Sequence, residues 1–193
     1  GASVVLYKNE ELRKHQIFAY SGWPGGLFGS PSMAGTRPGG NIAAAWVTLR
    51  SIGQDGYMNM AKQLMDVTTK LKEGISSIEG LCILGQPCMT AFSIASSGPE
   101  VSLLALADVL EDMGWKPERQ QYPDSLHCSI TPNHLKVADK LIEDLKKAVD
   151  KVKGQGTKTE SGSAAMYGMI ANIPDKGIID DFIVEFFSEC YKL

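Results

Sequence analysis

Apolar residues recur along this chain in two periods, and the change from one to the other lays out its elements. Tyr57, Met60, Leu64, Val67, Leu71 and Ile75 fall three and four positions apart, one stripe of a helix starting near Asp55. Lys62, Asp66, Lys70 and Lys72 lie among its polar positions. At about 1.5 Å per residue such a helix spans about 30 Å, and its stripe is too short for a coiled coil. The same spacing predicts a helix through Ile42, Ala45, Trp46 and Leu49, stopped at Gly53. It predicts another between Pro99 and Gly114, with Leu103, Leu106, Ala107, Leu110 and Met113 inward. A third follows Thr131-Pro132, with Leu135, Ala138, Ile142, Leu145, Val149 and Val152, and a last one starts at about Asp175, with Ile179, Phe182, Ile183, Phe186 and Cys190.

Period two appears where Leu126, Cys128 and Ile130 alternate with His127, Ser129 and Thr131, the pattern of a half-buried strand. Short apolar runs at 3–7, 17–20, 81–84 and 89–95 predict further strands, and 154–162, rich in Gly, Thr, Ser and Lys, reads as a connector. A few strands with helices gathered on one side indicate an α+β fold.

Between the second strand and the first long helix lies the run 22–40, dense in Gly and Pro and interleaved with Trp23, Leu27, Phe28 and Met33. It reads as a packed loop that opens a helix. Thr36 and Arg37 stand just before that helix, where unpaired N–H groups and a partial positive charge favour a phosphate or carboxylate. Neither a Walker loop nor a Gly-x-Gly-x-x-Gly is present.

With 193 residues, 44% of them hydrophobic, the chain can bury a real core. A net charge of −3, with lysines spread among carboxylates, gives no reason to expect nucleic acid as a partner. There is no uninterrupted apolar stretch of about 18 residues and no secretory leader pattern in the sequence given. The four cysteines show no Cys-x-x-Cys pair or zinc-type spacing and read as reduced thiols; no metal site is expected. Cys128 beside His127 invites a nucleophile reading, but neighbours on a strand face opposite ways. A chain that begins at Gly1 and enters an apolar run at once is expected to be a piece whose upstream half is missing.

At 29–40 (Gly-Ser-Pro-Ser-Met-Ala-Gly-Thr-Arg-Pro-Gly-Gly), then Gly56-Tyr57, 120–131 and Met166-Tyr167-Gly168-Met169, the chain resembles the sphingosine-1-phosphate lyases. The resemblance runs the whole length, with Thr36 standing where serine is the more familiar residue. It implies membership of the group II decarboxylase-like enzymes of pyridoxal phosphate fold type I: homodimers with a large cofactor domain and a small α+β C-terminal domain. Residues 1–53 would be the tail of the large domain and 54–193 the small domain. The implied reaction is a retro-aldol cleavage of the C2–C3 bond of a phosphorylated sphingoid base, giving a long-chain aldehyde and phosphoethanolamine.

By the same resemblance, Thr36 and Arg37 would lie near the cofactor phosphate or the dimer interface, and Tyr167 would reach toward the substrate. His127 could face the site from its strand, but reads better as a satisfied structural histidine. The lysine that carries the cofactor, and the aspartate that pairs with its ring nitrogen, would fall upstream of Gly1, so this polypeptide alone is expected to be inactive. Localisation would be cytosol-facing, at the endoplasmic reticulum in a eukaryote and cytoplasmic in a bacterium. Two alternatives stay open: a related pyridoxal phosphate amino-acid decarboxylase, and a non-catalytic dimerisation module.

Overall fold

Residues 2–155 and 173–192 are described by the computed structural model. Their elements, in order, are α1 (Glu10–Lys14), β1 (Phe18–Trp23), β2 (Gly26–Ser30), α2 (Gly39–Ser76), β3 (Leu81–Ile83), β4 (Ala91–Ser96), α3 (Leu103–Asp112), β5 (Glu118–Gln120), β6 (Ser125–Ser129), α4 (His134–Gln155) and α5 (Lys176–Cys190). The chain divides into two units, Gly1–Met58 and Asn59–Leu193. Helical geometry lapses inside α2 at Gly53 (φ 67°, ψ 175°), a backbone conformation that only glycine adopts readily.

The first unit is built on an antiparallel hairpin, β1 against β2, whose register shifts between Tyr20 and Trp23. Phe28 meets Phe18 and Trp23 edge-on, with ring centroids 6.0 and 5.9 Å apart. Two glycines make room for the rings: a Cβ on Gly22 would lie 2.7 Å from the Tyr20 hydroxyl, and one on Gly25 would lie 2.5 Å from the Trp23 indole. The expected single loop over 22–40 therefore contains a strand. Its turn is Pro24-Gly25-Gly26, with Gly26 at φ 110°. No strand forms over 3–7, because the described residues offer it no partner ladder, and Val5 and Leu6 stay 66% and 88% exposed. Leu27 and Met33 are exposed too, so among the described residues the expected packing of the loop is limited to the ring contacts of Trp23 and Phe28.

The second unit holds the core. An antiparallel sheet in the order β3-β4-β6-β5 sets Phe92 opposite Cys128 and Ile94 opposite Leu126. That face joins Leu71 and Ile75 of α2, Leu106 and Leu110 of α3, and Leu145 and Val149 of α4 in one apolar cluster. Helices on one face of an antiparallel sheet make the α+β fold that the periodicity predicts. The other face is polar: Ser93 Oγ donates to Gln120 Oε1 at 2.8 Å, and His127 Nδ1 lies 2.7 Å from Glu118 Oε2.

Helix α3 starts after Pro99, because Ser102 Oγ accepts from Ala105 N and Val101 is buried ahead of it. Helix α4 likewise starts at His134, whose N–H donates to Thr131 O at 3.0 Å. It runs on through Gly154 to Gln155; the rest of the expected connector lies outside the described residues. Asp175 caps α5 as predicted, accepting from Gly177 N at 2.9 Å. The apolar α5 residues Phe182, Ile183 and Phe186 are exposed and are not part of the buried core. Among the described residues no helix is long and apolar enough to cross a membrane.

Two polar clamps hold the sheet and helices of this unit. The Arg119 side chain, 6% exposed, reaches from β5 to Asp108 at 2.5 Å and Glu111 at 2.6 Å on α3, and its hydrogen bond holds the Glu111 carboxyl below the usual range. On α4, Asp144 accepts from Lys140 and, at 2.9 Å, from Trp115 Nε1. Those bonds, Lys140's first, lower its carboxyl pKa.

A carboxyl whose folded pKa lies below its unfolded value adds stability above the unfolded pKa, about 4, and loses it as pH falls through the lowered value. The urea midpoint should therefore fall between about pH 5 and pH 3, with a shallower fall in Asp144→Asn. Equal slopes would remove Asp144 from the account. A Cβ on Gly80 (φ 97°) would meet Val101 Cγ2 at 2.7 Å, whereas one on Gly114 (φ 89°) would meet nothing within 4 Å. Gly80→Ala should lose roughly 2–4 kcal/mol and Gly114→Ala roughly 1–2 kcal/mol, measured by chemical denaturation.

Candidate functional site

Within the first unit, the residues singled out for an anion gather at the start of α2. Thr36 and Arg37 are exposed, and Gly39 and Gly40 open the helix with N–H groups that its own geometry leaves without partners. A Cβ at Gly35, Gly39 or Gly40 would meet nothing within 4 Å, so backbone can be approached closely there. Ala2, Ser3, Arg37, Pro38, Asn41 and Ile42 line an open cleft of about 410 Å³ beside them.

Arg37 is held by neutral oxygens. Nη1 donates to Ala34 O at 2.7 Å and Gly35 O at 3.4 Å, and Nη2 donates to Ser32 Oγ at 3.3 Å. The Ser32 hydroxyl in turn donates to Ala34 O at 2.7 Å, and the Ser30 hydroxyl to Ser32 O at 2.5 Å. Outside the loop, Gln16 Nε2 donates to Pro31 O at 2.8 Å while its Oε1 accepts from the Tyr7 hydroxyl at 2.5 Å. Sequence reasoning missed Tyr7 and Gln16, because a polar residue in a turn gives no sign of the partner that the fold will bring to it. The arrangement is a guanidinium whose charge no carboxylate cancels in these contacts, beside a hydroxyl and the N-terminal end of a helix. That donor set suits a phosphate.

Tyr167 lies outside the described residues. In the second unit, His127 and Cys128 face opposite ways, as alternation requires: the imidazole lies against Glu118 and the sulfur joins the apolar cluster. Burial pushes the Cys128 thiol up to about 12, with the Glu118 charge adding to it. A cleft of about 220 Å³ runs past Trp115, Cys128, His134 and Leu141, but its His134 Nδ1 already accepts from Thr131 N at 3.0 Å and its floor is the buried core. Among the described residues no group of His, Cys, Asp or Glu could hold a metal ion.

No family model matches the chain. A sphingosine-1-phosphate lyase of Oryza sativa subsp. japonica is 40% identical over 186 residues, covering 96% of this chain and 34% of that protein. Sphingosine-1-phosphate lyase 1 of Rattus norvegicus is 33% identical over 194 residues, covering 100% of this chain and 34% of that protein. The solved structure of the sphingosine-1-phosphate lyase of Burkholderia pseudomallei K96243 matches with a TM-score of 0.68 at 32% identity, covering 77% of this chain and 34% of that one. The chain thus spans about a third of the length of these relatives, and matches their C-terminal portion.

A thiol this far above its ordinary pKa is unreactive at neutral pH. Brief iodoacetamide treatment of the folded protein at pH 7.5, about a unit below an ordinary thiol pKa, should label exposed Cys88 and leave Cys128 unlabelled, read by peptide mass spectrometry. Fast labelling of Cys128 would return it to the candidate nucleophiles.

Proposed function

Because the chain belongs to the sphingosine-1-phosphate lyase family, we propose that it is the C-terminal part of a pyridoxal-phosphate-dependent carbon–carbon lyase. The reaction is cleavage of the C2–C3 bond of a phosphorylated sphingoid base, giving a long-chain aldehyde and phosphoethanolamine. The observation that carries this reading is a match running through nearly the whole chain at 40% identity, with the Arg37 loop inside it.

The residues of that loop fit part of the cofactor. Arg37, Thr36 and the first N–H groups of α2 would take its phosphate, neutralising charge and fixing the direction in which the ring extends. By the family resemblance, the attachment of the ring is assigned to a lysine outside this chain. When bound, the cofactor supplies the electron sink for the breaking carbon–carbon bond. Tyr167, beside the small residues Ala164, Ala165 and Gly168, would donate a hydrogen bond to the substrate.

The remaining assignments follow from the same premise. Residues 1–53 are the tail of the large domain and 54–193 the small domain, a boundary supported by the helical lapse at Gly53. Assembly as a homodimer, with the 193-residue chain inactive by itself, is supported by the apolar side chains left exposed on the hairpin and on α5. The enzyme faces the cytosol, at the endoplasmic reticulum in a eukaryote.

Incubating the intact protein with pyridoxal phosphate and sphingosine-1-phosphate should yield long-chain aldehyde, and the 193-residue chain alone should yield none. Arg37→Ala in the intact protein should retain the cofactor about 10- to 100-fold more weakly, the loss of a charged hydrogen-bond partner. Carbon dioxide from an amino acid, with no aldehyde, would mean a decarboxylase; aldehyde from the chain alone would mean that the attachment lysine lies within it.

A further inference from the structure

The β1–β2 ladder ends at Phe18 opposite Ser30, and the next residue on the second strand is Pro31, which has no N–H with which to continue it. Its carbonyl is nevertheless taken, by the side chain of Gln16 at 2.8 Å. The backbone of Gln16 is itself fixed where α1 ends, its N–H donating to Arg13 O at 3.1 Å. Pro31 O can only accept, so the amide nitrogen must face it and the amide oxygen must face Tyr7, whose hydroxyl then donates at 2.5 Å. One side chain thereby ties the segment before α1 to the first residue of the loop.

From Pro31 the constraint is handed along. Ser30 and Ser32 hydroxyls hold the carbonyls of Ser32 and Ala34, and Arg37 closes on Ala34 O and Ser32 Oγ. We propose that Gln16, oriented by Tyr7, is a positioning residue that sets where the Arg37 guanidinium stands and hence how tightly the loop holds a phosphate. This rests on the phosphate role of the loop given above. The bonds of Gln16 go to Tyr7 and Pro31, so the role given to it is exerted through Arg37.

The test is a double-mutant cycle on the intact protein stripped of cofactor, titrated with inorganic phosphate and separately with pyridoxal phosphate. Gln16→Met keeps the side-chain length without adding charge and removes both bonds. It should weaken phosphate binding about 3- to 10-fold, the scale of one or two hydrogen bonds, at an unchanged thermal midpoint. In an Arg37→Ala background the same substitution should have no further effect. Should Gln16→Met lower the midpoint, the cycle is read with Tyr7→Phe, which should show a loss of about 2- to 3-fold with the same dependence on Arg37. Unchanged phosphate affinity, or an equal loss in the Arg37→Ala background, overturns the positioning role while leaving the phosphate site standing. If Arg37→Ala itself leaves phosphate affinity unchanged, the phosphate role fails and the positioning role fails with it.

Discussion

The second unit depends on covering one face of a small sheet. Strands of three to six residues have no independent stability, so Phe92, Ile94, Leu126 and Cys128 must be buried against helix or the ladder does not persist. Antiparallel pairing puts all four on one side, and the stripes of α2, α3 and α4 supply Leu71, Ile75, Leu106, Leu110, Leu145 and Val149 to cover them. The polar clamps are consequences of that packing. Once α3 and α4 lie along the sheet, Arg119 and Trp115 come within reach of Asp108, Glu111 and Asp144, where burial makes an unmet charge expensive and a met one orienting.

The first unit is ordered by different means. Its aromatic rings rest on each other and on glycines, and its loop is tied by a chain of short hydrogen bonds, while Leu27, Met33, Trp46 and Phe28 stay accessible. A surface that apolar has a reason beyond this chain's own folding. The same holds for α5, a capped helix whose Phe182, Phe186 and Phe187 are exposed. Both features leave apolar surface accessible among the described residues, as the proposed assembly with further residues would need.

How far all this could be read from the sequence follows from how local each signal is. Stripes such as Leu71–Ile75 and Leu145–Val149 were legible because helical spacing and burial are one fact, and the strand at 125–129 was legible because alternation is. Strand 3–7 was misread because an apolar run says nothing about whether a partner exists, and β2 was passed over because Pro and Gly hid the hairpin turn that they form. The starts of α3 and α4 slipped by a few residues, since Ser102 and Thr131 take part in turn geometry that propensity does not weigh. At the candidate site, Thr36 and Arg37 were visible from their place before a helix. Tyr7 and Gln16 were not, because their link to Pro31 exists only once the hairpin has closed.

Two arginines show why the loop reads as a binding element and the clamp as architecture. Arg119 is almost wholly buried, and two carboxylates meet its guanidinium; its charge is cancelled where it stands, and hydrogen bonding to Glu111 holds its proton more firmly still. Arg37 is exposed, and its hydrogen bonds go to carbonyls and a hydroxyl, which orient a guanidinium without neutralising it. Since Thr36 and a helix N-terminus add donors and positive potential on the same stretch, the field there favours an incoming anion. A fixed, uncancelled charge of this kind has no partner to stabilise in the ion pairs of the described residues, and under the proposed function its contribution would be made when a phosphate arrives.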